Sequence, residues 1–204
     1  MKHFVFLLLV FITSTCAYTQ EVIPGQTIYS SNFDIDGISR TCTFYIPLGY
    51  GKSEACPLVI MLHDRGSNAK NIIKSYGDIM HANADSISAI VIYPEAVADG
   101  WKDGTEKDSI NDVGYLSILT DYFVQRYHAD PTRVFITGLG NGAAMAYRFG
   151  CDLPGKVAAL VAFTNTDSKS NCINLAVPVM RVSGKVNAVS INNVFEFFML
   201  HRKE

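Results

Sequence analysis

The run R-V-F-I-T-G-L-G-N-G-A-A-M-A-Y-R-F, Arg133 to Phe149, limits what this chain can fold into more than any other segment. Val134 to Thr137 are β-branched or aromatic, the residue types that suit a half-buried or buried strand. Gly138, Gly140 and Gly142 then allow a sharp backbone turn, and Ala143, Ala144 and Ala146 favour a helix directly after it. A strand that turns tightly into a helix is half of a βαβ unit, so the chain is committed to a layered α/β architecture.

The rest of the chain fits that commitment. Residues Thr27 to Ile46 alternate apolar and polar positions around Asp36-Gly37, which predicts an antiparallel hairpin at a sheet edge. Pro57 to Leu62 and Ala89 to Tyr93 are continuous apolar runs, as expected of strands covered on both faces. Helical patterns span Lys70 to Ala84, Asp112 to Tyr127 and Val189 to His201, with Asp130-Pro131 ending the second. Ala158 to Thr164 and Pro178 to Ser183 are the last strand candidates. Strands alternating with helices predict one mostly parallel sheet with helices on both faces. No repeat, linker or low-complexity segment interrupts it.

At 204 residues, with 49% hydrophobic and 18% charged residues, the chain suits a single domain with a sizeable core. A net charge of -2 and the lack of any Lys/Arg run argue against nucleic acid as a partner. Lys2 and His3 precede an apolar run from Phe4 to Ile12 and the small or polar residues Thr13 to Ala17, the form of a secretory signal peptide. The expected division is a signal over 1–17 and one domain over 18–204, placing the protein in the periplasm or outside the cell. A lipid anchor on Cys16 is the rival reading, although Thr13 fits it poorly. The apolar run is far shorter than the ~20 residues of a membrane span.

Removing that segment leaves Cys42, Cys56, Cys151 and Cys172, which allow three disulfide connectivities. A local 151–172 bridge with a 42–56 partner across neighbouring strands is one expectation, and buried free thiols are the other. Without a C-x-x-C spacing no zinc site is expected, and nothing calls for a cofactor.

The turn at 138–142 carries the chemistry. In a nucleophile elbow, G-x-S-x-G, a strained strand-to-helix turn lifts a serine hydroxyl above the sheet. Here it reads Gly138-Leu139-Gly140-Asn141-Gly142, with glycine at the nucleophile's place. Gly138, Gly140 and Ala143 also match a dinucleotide fingerprint, with Asp167 after the next strand. Only 37 residues follow Asp167, too few for the strands such a domain needs.

Several motifs together resemble the secreted polyhydroxybutyrate depolymerase and feruloyl esterase group of α/β-hydrolases. They are I-D-G-I-S-R-T-C-T-F-Y-I-P-L-G-Y, P-L-V-I-M-L-H, V-I-Y-P-E, G-W-K-D-G, N-D-V-G-Y-L, the elbow segment from Asp130, and P-V-M-R-V-S-G. The resemblance runs from about Phe33 to Phe198 and implies an α/β-hydrolase fold, short at its C-terminus, and carboxylic ester hydrolysis by a Ser/His/Asp triad.

Taken position by position, the resemblance implies that the triad is dismantled. The family's serine falls on Gly140 and its G-x-x-D carboxylate on Asn187, while its histidine lies beyond a further strand and the chain stops at Glu204. The family's His-Gly after the third strand reads His63-Asp64. The backbone N–H groups of Asn141 and Arg65 are the expected remnant of an oxyanion site, which a negative Asp64 pointing into the loop would oppose. His63, Asp64 and Trp101 are the candidate lining of a ligand cleft for a polysaccharide, feruloylated or polyester ligand. His63 reads more simply as a structural residue, His81 and His128 as surface residues, and His201 as part of a fraying end. An active esterase using Ser67 with His63, a binding module, and a decaying gene product are the alternatives to a silent esterase-type protein.

Overall fold

The computed structural model describes residues 22–52, 55–102, 110–164 and 175–203. The expected signal segment, Cys16, Asp167 and Cys172 lie outside the described residues. Among the described residues seven strands and four α-helices follow in the order β1 (Thr27–Ile35), β2 (Ile38–Tyr45), β3 (Cys56–Leu62), α1 (Ala69–Ile87), β4 (Ile90–Pro94), α2 (Asp112–Arg126), β5 (Ala129–Leu139), α3 (Asn141–Asp152), β6 (Ala159–Phe163), β7 (Val179–Val182) and α4 (Ala188–Met199), with a short 3-10 turn, Pro154–Lys156, between α3 and β6.

The strands form one sheet in the order β1-β2-β4-β3-β5-β6-β7, antiparallel at β1, β2 and β4 and parallel from β4 through β3 to β7. Every residue of β3, β4 and β6 is buried, which is why these strands read as unbroken apolar runs. The β1–β2 hairpin closes through Asp36 and Gly37, both at positive φ (53° and 75°), the backbone a two-residue type I′ turn requires.

Two apolar layers sandwich the sheet. Leu116, Leu119 and Phe123 of α2 and Met145 and Phe149 of α3 pack on one face, against Phe44, Leu58, Ile60 and Ile136. Ile72 and Met80 of α1 and Ile191, Val194 and Phe198 of α4 pack on the other, against Val59, Val91, Phe135 and Val161. Asparagines start three of the helices: Asn68, Asn111 and Asn187 each accept a backbone N–H from the first turn, satisfying a donor the helix itself leaves open.

The structure corrects three sequence expectations here. β5 begins at Ala129 rather than Arg133, because the strand runs through Asp130-Pro131 with a register irregularity against β3. Asp130 holds that irregularity by accepting from the Thr132 N–H and hydroxyl and from the Arg133 guanidinium. Cys42 and Cys56 are both buried free thiols, so they are not a disulfide pair. Cys151 is disulfide-bonded. His81 is no surface residue: its ring lies flat on Tyr45, with centroids 3.8 Å apart, and its Nε2 is buried.

Candidate active site at the head of β3 and β5

Register brings the site together. Leu62 pairs with Gly138, so the loop after β3 and the turn after β5 leave the sheet side by side. This is where the chain order reverses across the sheet, the crevice in which open α/β sheets bind ligands.

The turn has the strained form its sequence suggests. Gly140, at its apex, has φ 48° and ψ −110°, a region L side chains enter only under strain. The flanking glycines are dictated by backbone. A Cβ at Gly142 would lie 2.5 Å from the His63 carbonyl oxygen and 2.6 Å from that of Leu62, and one at Gly138 would lie 2.7 Å from the Ala143 nitrogen. These approaches let α3 start directly above β3.

Asp64 fills the space above Gly140. One carboxylate oxygen, Oδ1, accepts the backbone N–H of Asn141 at 2.7 Å and that of Arg65 at 2.7 Å. These are the two N–H groups expected to remain open as an oxyanion site. Both are present, but a side chain of the same protein occupies them. A Cβ on Gly140 would fall on Oδ1, Cγ and Oδ2 of that carboxylate, well inside the ~3.5 Å of normal contact.

His63 is buried with both ring nitrogens committed. The Ala96 N–H donates to Nε2 at 3.1 Å, so Nδ1 carries the proton and donates to the Asp64 carbonyl at 2.9 Å. Neither nitrogen is left to accept a proton from Ser67, whose own N–H donates to the Asp64 carbonyl. Glu95 stands beside it, with Oε2 3.4 Å from Nε2 and Oε1 accepting the Ala69 N–H at the start of α1.

Trp101 does not line a cleft. It is fully buried, and its indole N–H donates to the His63 carbonyl at 3.0 Å. Of the three expected cleft residues only Asp64 is exposed; the large ring and the imidazole are packing and hydrogen-bonding elements beneath it.

Two supports escaped the sequence reading. Asn141 clasps Trp101 by its backbone, Oδ1 accepting from the N–H at 2.6 Å and Nδ2 donating to the carbonyl at 3.1 Å. Gly100 makes room for this, since a Cβ there would lie 2.7 Å from Asn141 Oδ1. Behind it, Asp112 accepts from Arg40 at 2.6 Å and from the Lys102 N–H at 2.7 Å, tying the loop after β4 to β2. The Arg40 guanidinium also lies 4.0 Å over the Tyr115 ring. The only sequence signal for these contacts is the presence of charged residues in otherwise apolar surroundings.

The remaining candidates stand elsewhere. Asn187 is the exposed N-cap of α4, its side chain accepting the Ser190 N–H while the Ser190 hydroxyl accepts the Asn187 N–H. His201 bonds the Phe197 carbonyl, and the neighbouring Lys203 N–H bonds Thr132, six residues before Gly138 on β5. At ~3.3 Å per residue that places this end of the chain roughly 20 Å from the elbow, at the opposite end of β5. Among the described residues no group of three or more His, Cys, Asp or Glu side chains could hold a metal ion.

The strand order, the reversal at β3 and the glycine turn into α3 define an α/β-hydrolase fold. Solved structures that it resembles include esterases and another hydrolase. A thermostable esterase superposes with a TM-score of 0.66 at 13% identity over 87% of this chain and 63% of that one. An acetyl xylan esterase from Aspergillus awamori gives 0.59 at 18% identity over 74% and 57%. An S-formylglutathione hydrolase from Agrobacterium tumefaciens gives 0.63 at 13% identity over 90% and 96%.

In sequence the chain is similar to feruloyl esterase D of Neurospora crassa, 26% identical over 161 residues, covering 74% of this chain and 53% of the relative. It is also similar to acetylxylan esterase A of Emericella nidulans, 24% identical over 151 residues, covering 71% and 48%. The chain thus spans about half the length of these curated relatives. No family model matches it.

Proposed function

We propose that this protein is an exported, esterase-type α/β-hydrolase that does not hydrolyse esters through an acyl-enzyme. The family reaction needs a nucleophile, a base and an orienting carboxylate. On this reading Gly140 stands in the nucleophile's place and Asn187 in the carboxylate's. The observation that carries the proposal is the Asp64 carboxylate seated on the Asn141 and Arg65 N–H groups. Loss of a nucleophile costs on the order of 10⁶ in turnover, and an intact oxyanion site preserves roughly 10³–10⁴ over water. Here the same carboxylate removes that remainder, because the donors are already used and a developing oxyanion would face a negative charge.

Similarity to feruloyl and acetylxylan esterases makes feruloylated or acetylated polysaccharides the ligands to try first. Trp101, being buried, has no part in such binding. The purified protein should leave p-nitrophenyl acetate and methyl ferulate at the buffer rate. Turnover at an ordinary esterase rate, abolished by a serine-directed inhibitor, would overturn the proposal.

The cysteine arrangement belongs with export. Cys151 closes α3, and Cys172 is its proposed disulfide partner in the mature chain after removal of 1–17.

A further inference from the structure

We propose that the residues at 64 and 140 are one change in two parts: Asp64 is a built-in plug for the crevice above the elbow, and residue 140 is glycine because the plug needs its volume. The inference rests on the silent-site reading but has separate consequences.

Three glycines shape the turn, for two different reasons. At Gly138 and Gly142 an added Cβ meets main chain, so a side chain there would force α3 off the end of β5 or of β3. At Gly140 the three atoms it meets all belong to the Asp64 carboxylate. At 140 the first obstacle a side chain would meet is the Asp64 carboxylate, in addition to the backbone strain of φ 48°. The carboxylate could rotate aside, but only by releasing the two backbone N–H groups it satisfies. A seated Asp64 and a side chain at 140 therefore exclude each other.

The plug also has the right chemistry for the place. Oδ1 takes both donors at 2.7 Å, one from the first turn of α3 and one from the separate loop after β3. A single anionic oxygen held by two convergent N–H groups is how a carbonyl oxygen or small carboxylate is received in such a site. Asp64 is exposed, so removing its carboxylate opens these donors to solvent without excavating the core. Wild-type protein is thus closed to external carboxylates by its own, and acetate is the simplest probe of the opened site.

A double-mutant cycle separates this coupling from backbone strain, since φ 48° at residue 140 burdens a serine equally in either background. Thermal melts compare the wild type, Gly140→Ser, Asp64→Ala and the double variant, using the full chain. The expected result is that G140S lowers Tm by roughly 2–4 °C more in the wild-type background than beside D64A. Acetate titrated into ¹⁵N-labelled protein should shift the Arg65 and Asn141 amide resonances saturably in D64A and leave them in place in the wild type. Should D64A give no cooperative melt, Asp64→Ser removes the carboxylate and carries the same cycle. Equal Tm losses in both backgrounds, or acetate shifts as large in the wild type as in the variant, would overturn the inference. Ester turnover by the wild type with a coupled cycle would overturn the silent-site reading alone. An additive cycle in an inactive protein would overturn the plug alone.

Discussion

Asn141 and Trp101 are joined twice, side chain to backbone: Oδ1 accepts the Trp101 N–H at 2.6 Å and Nδ2 donates to the Trp101 carbonyl at 3.1 Å. The same residue gives its own N–H to Asp64, so one asparagine links the elbow, the plug and the loop after β4. Asn141→Ala strands two backbone groups and should cost about 1–3 kcal/mol. Asn141→Asp should cost more, because a carboxylate cannot donate to the Trp101 carbonyl and adds a charge beside Asp64. Urea unfolding of the two variants ranks them.

The Arg40–Asp112 pair supports the same loop from below. Both side chains are essentially without solvent exposure, and the 2.6 Å contact is reinforced by the Lys102 N–H. Asp112→Ala leaves a buried guanidinium uncompensated and should destabilise by about 3–5 kcal/mol. Replacing both residues with leucine should recover part of that loss, since it removes the stranded charge but also takes the Asp112 acceptor from the Lys102 N–H. Equal denaturation midpoints for the single and double variants would show that the pair, rather than the stranded charge, sets the cost.

Two groups make the fold acid-sensitive, in separate pH windows. Burial lowers the pKa of His81 from its ordinary 6.5, against the pull of Asp85 and Asp78. The unfolded chain then binds a proton that the folded one refuses, so stability falls as pH drops below 6.5 toward the folded value. His81→Phe keeps a ring on Tyr45 and should flatten Tm between pH 7 and 5. Burial works to raise Asp130, but hydrogen bonds from Thr132 and the Arg133 guanidinium prevail and hold it below its ordinary 3.8. Its contribution is intact above 3.8 and is lost as pH falls through the lower folded value, so Asp130→Asn should flatten Tm only in that more acidic range.

Cys42 and Cys56 are buried, and burial pushes the Cys42 thiol well above its ordinary range. In the mature chain neither should react with Ellman's reagent until the protein unfolds. Denatured protein without reductant should then titrate two thiols, and four once reduced, if Cys151 pairs with Cys172 as proposed. Four thiols without reductant would refute the pairing.

Much of the fold is legible in the sequence because burial on both faces leaves unbroken apolar runs, as in Leu58–Leu62 and Ile90–Tyr93, and because glycines mark the elbow. The start of β5 was hidden by Asp130-Pro131, which reads as a break yet lies in the strand, fixed by its own side-chain bonds. Cys42 and Cys56 looked pairable by strand proximity alone, which carries no information about where either side chain points. Trp101 was ambiguous for a similar reason: a glycine-flanked aromatic in a polar loop looks the same whether it faces solvent or plugs the space under His63. At the site, the sequence sets Asp64 against the Asn141 and Arg65 N–H groups only as an opposing charge. That its carboxylate accepts from both and takes up the space above Gly140 depends on the Leu62–Gly138 register, a long-range fact that spacing along the chain does not encode.

Acylation is the step that the proposed silent-site reading excludes most directly. Intact protein incubated with excess p-nitrophenyl acetate and followed by rapid-mixing absorbance and whole-protein mass spectrometry should show no burst of nitrophenol and no acetylated species at the elbow peptide. A stoichiometric burst, with the acetyl group on one residue of the described site, would contradict the silent-site reading.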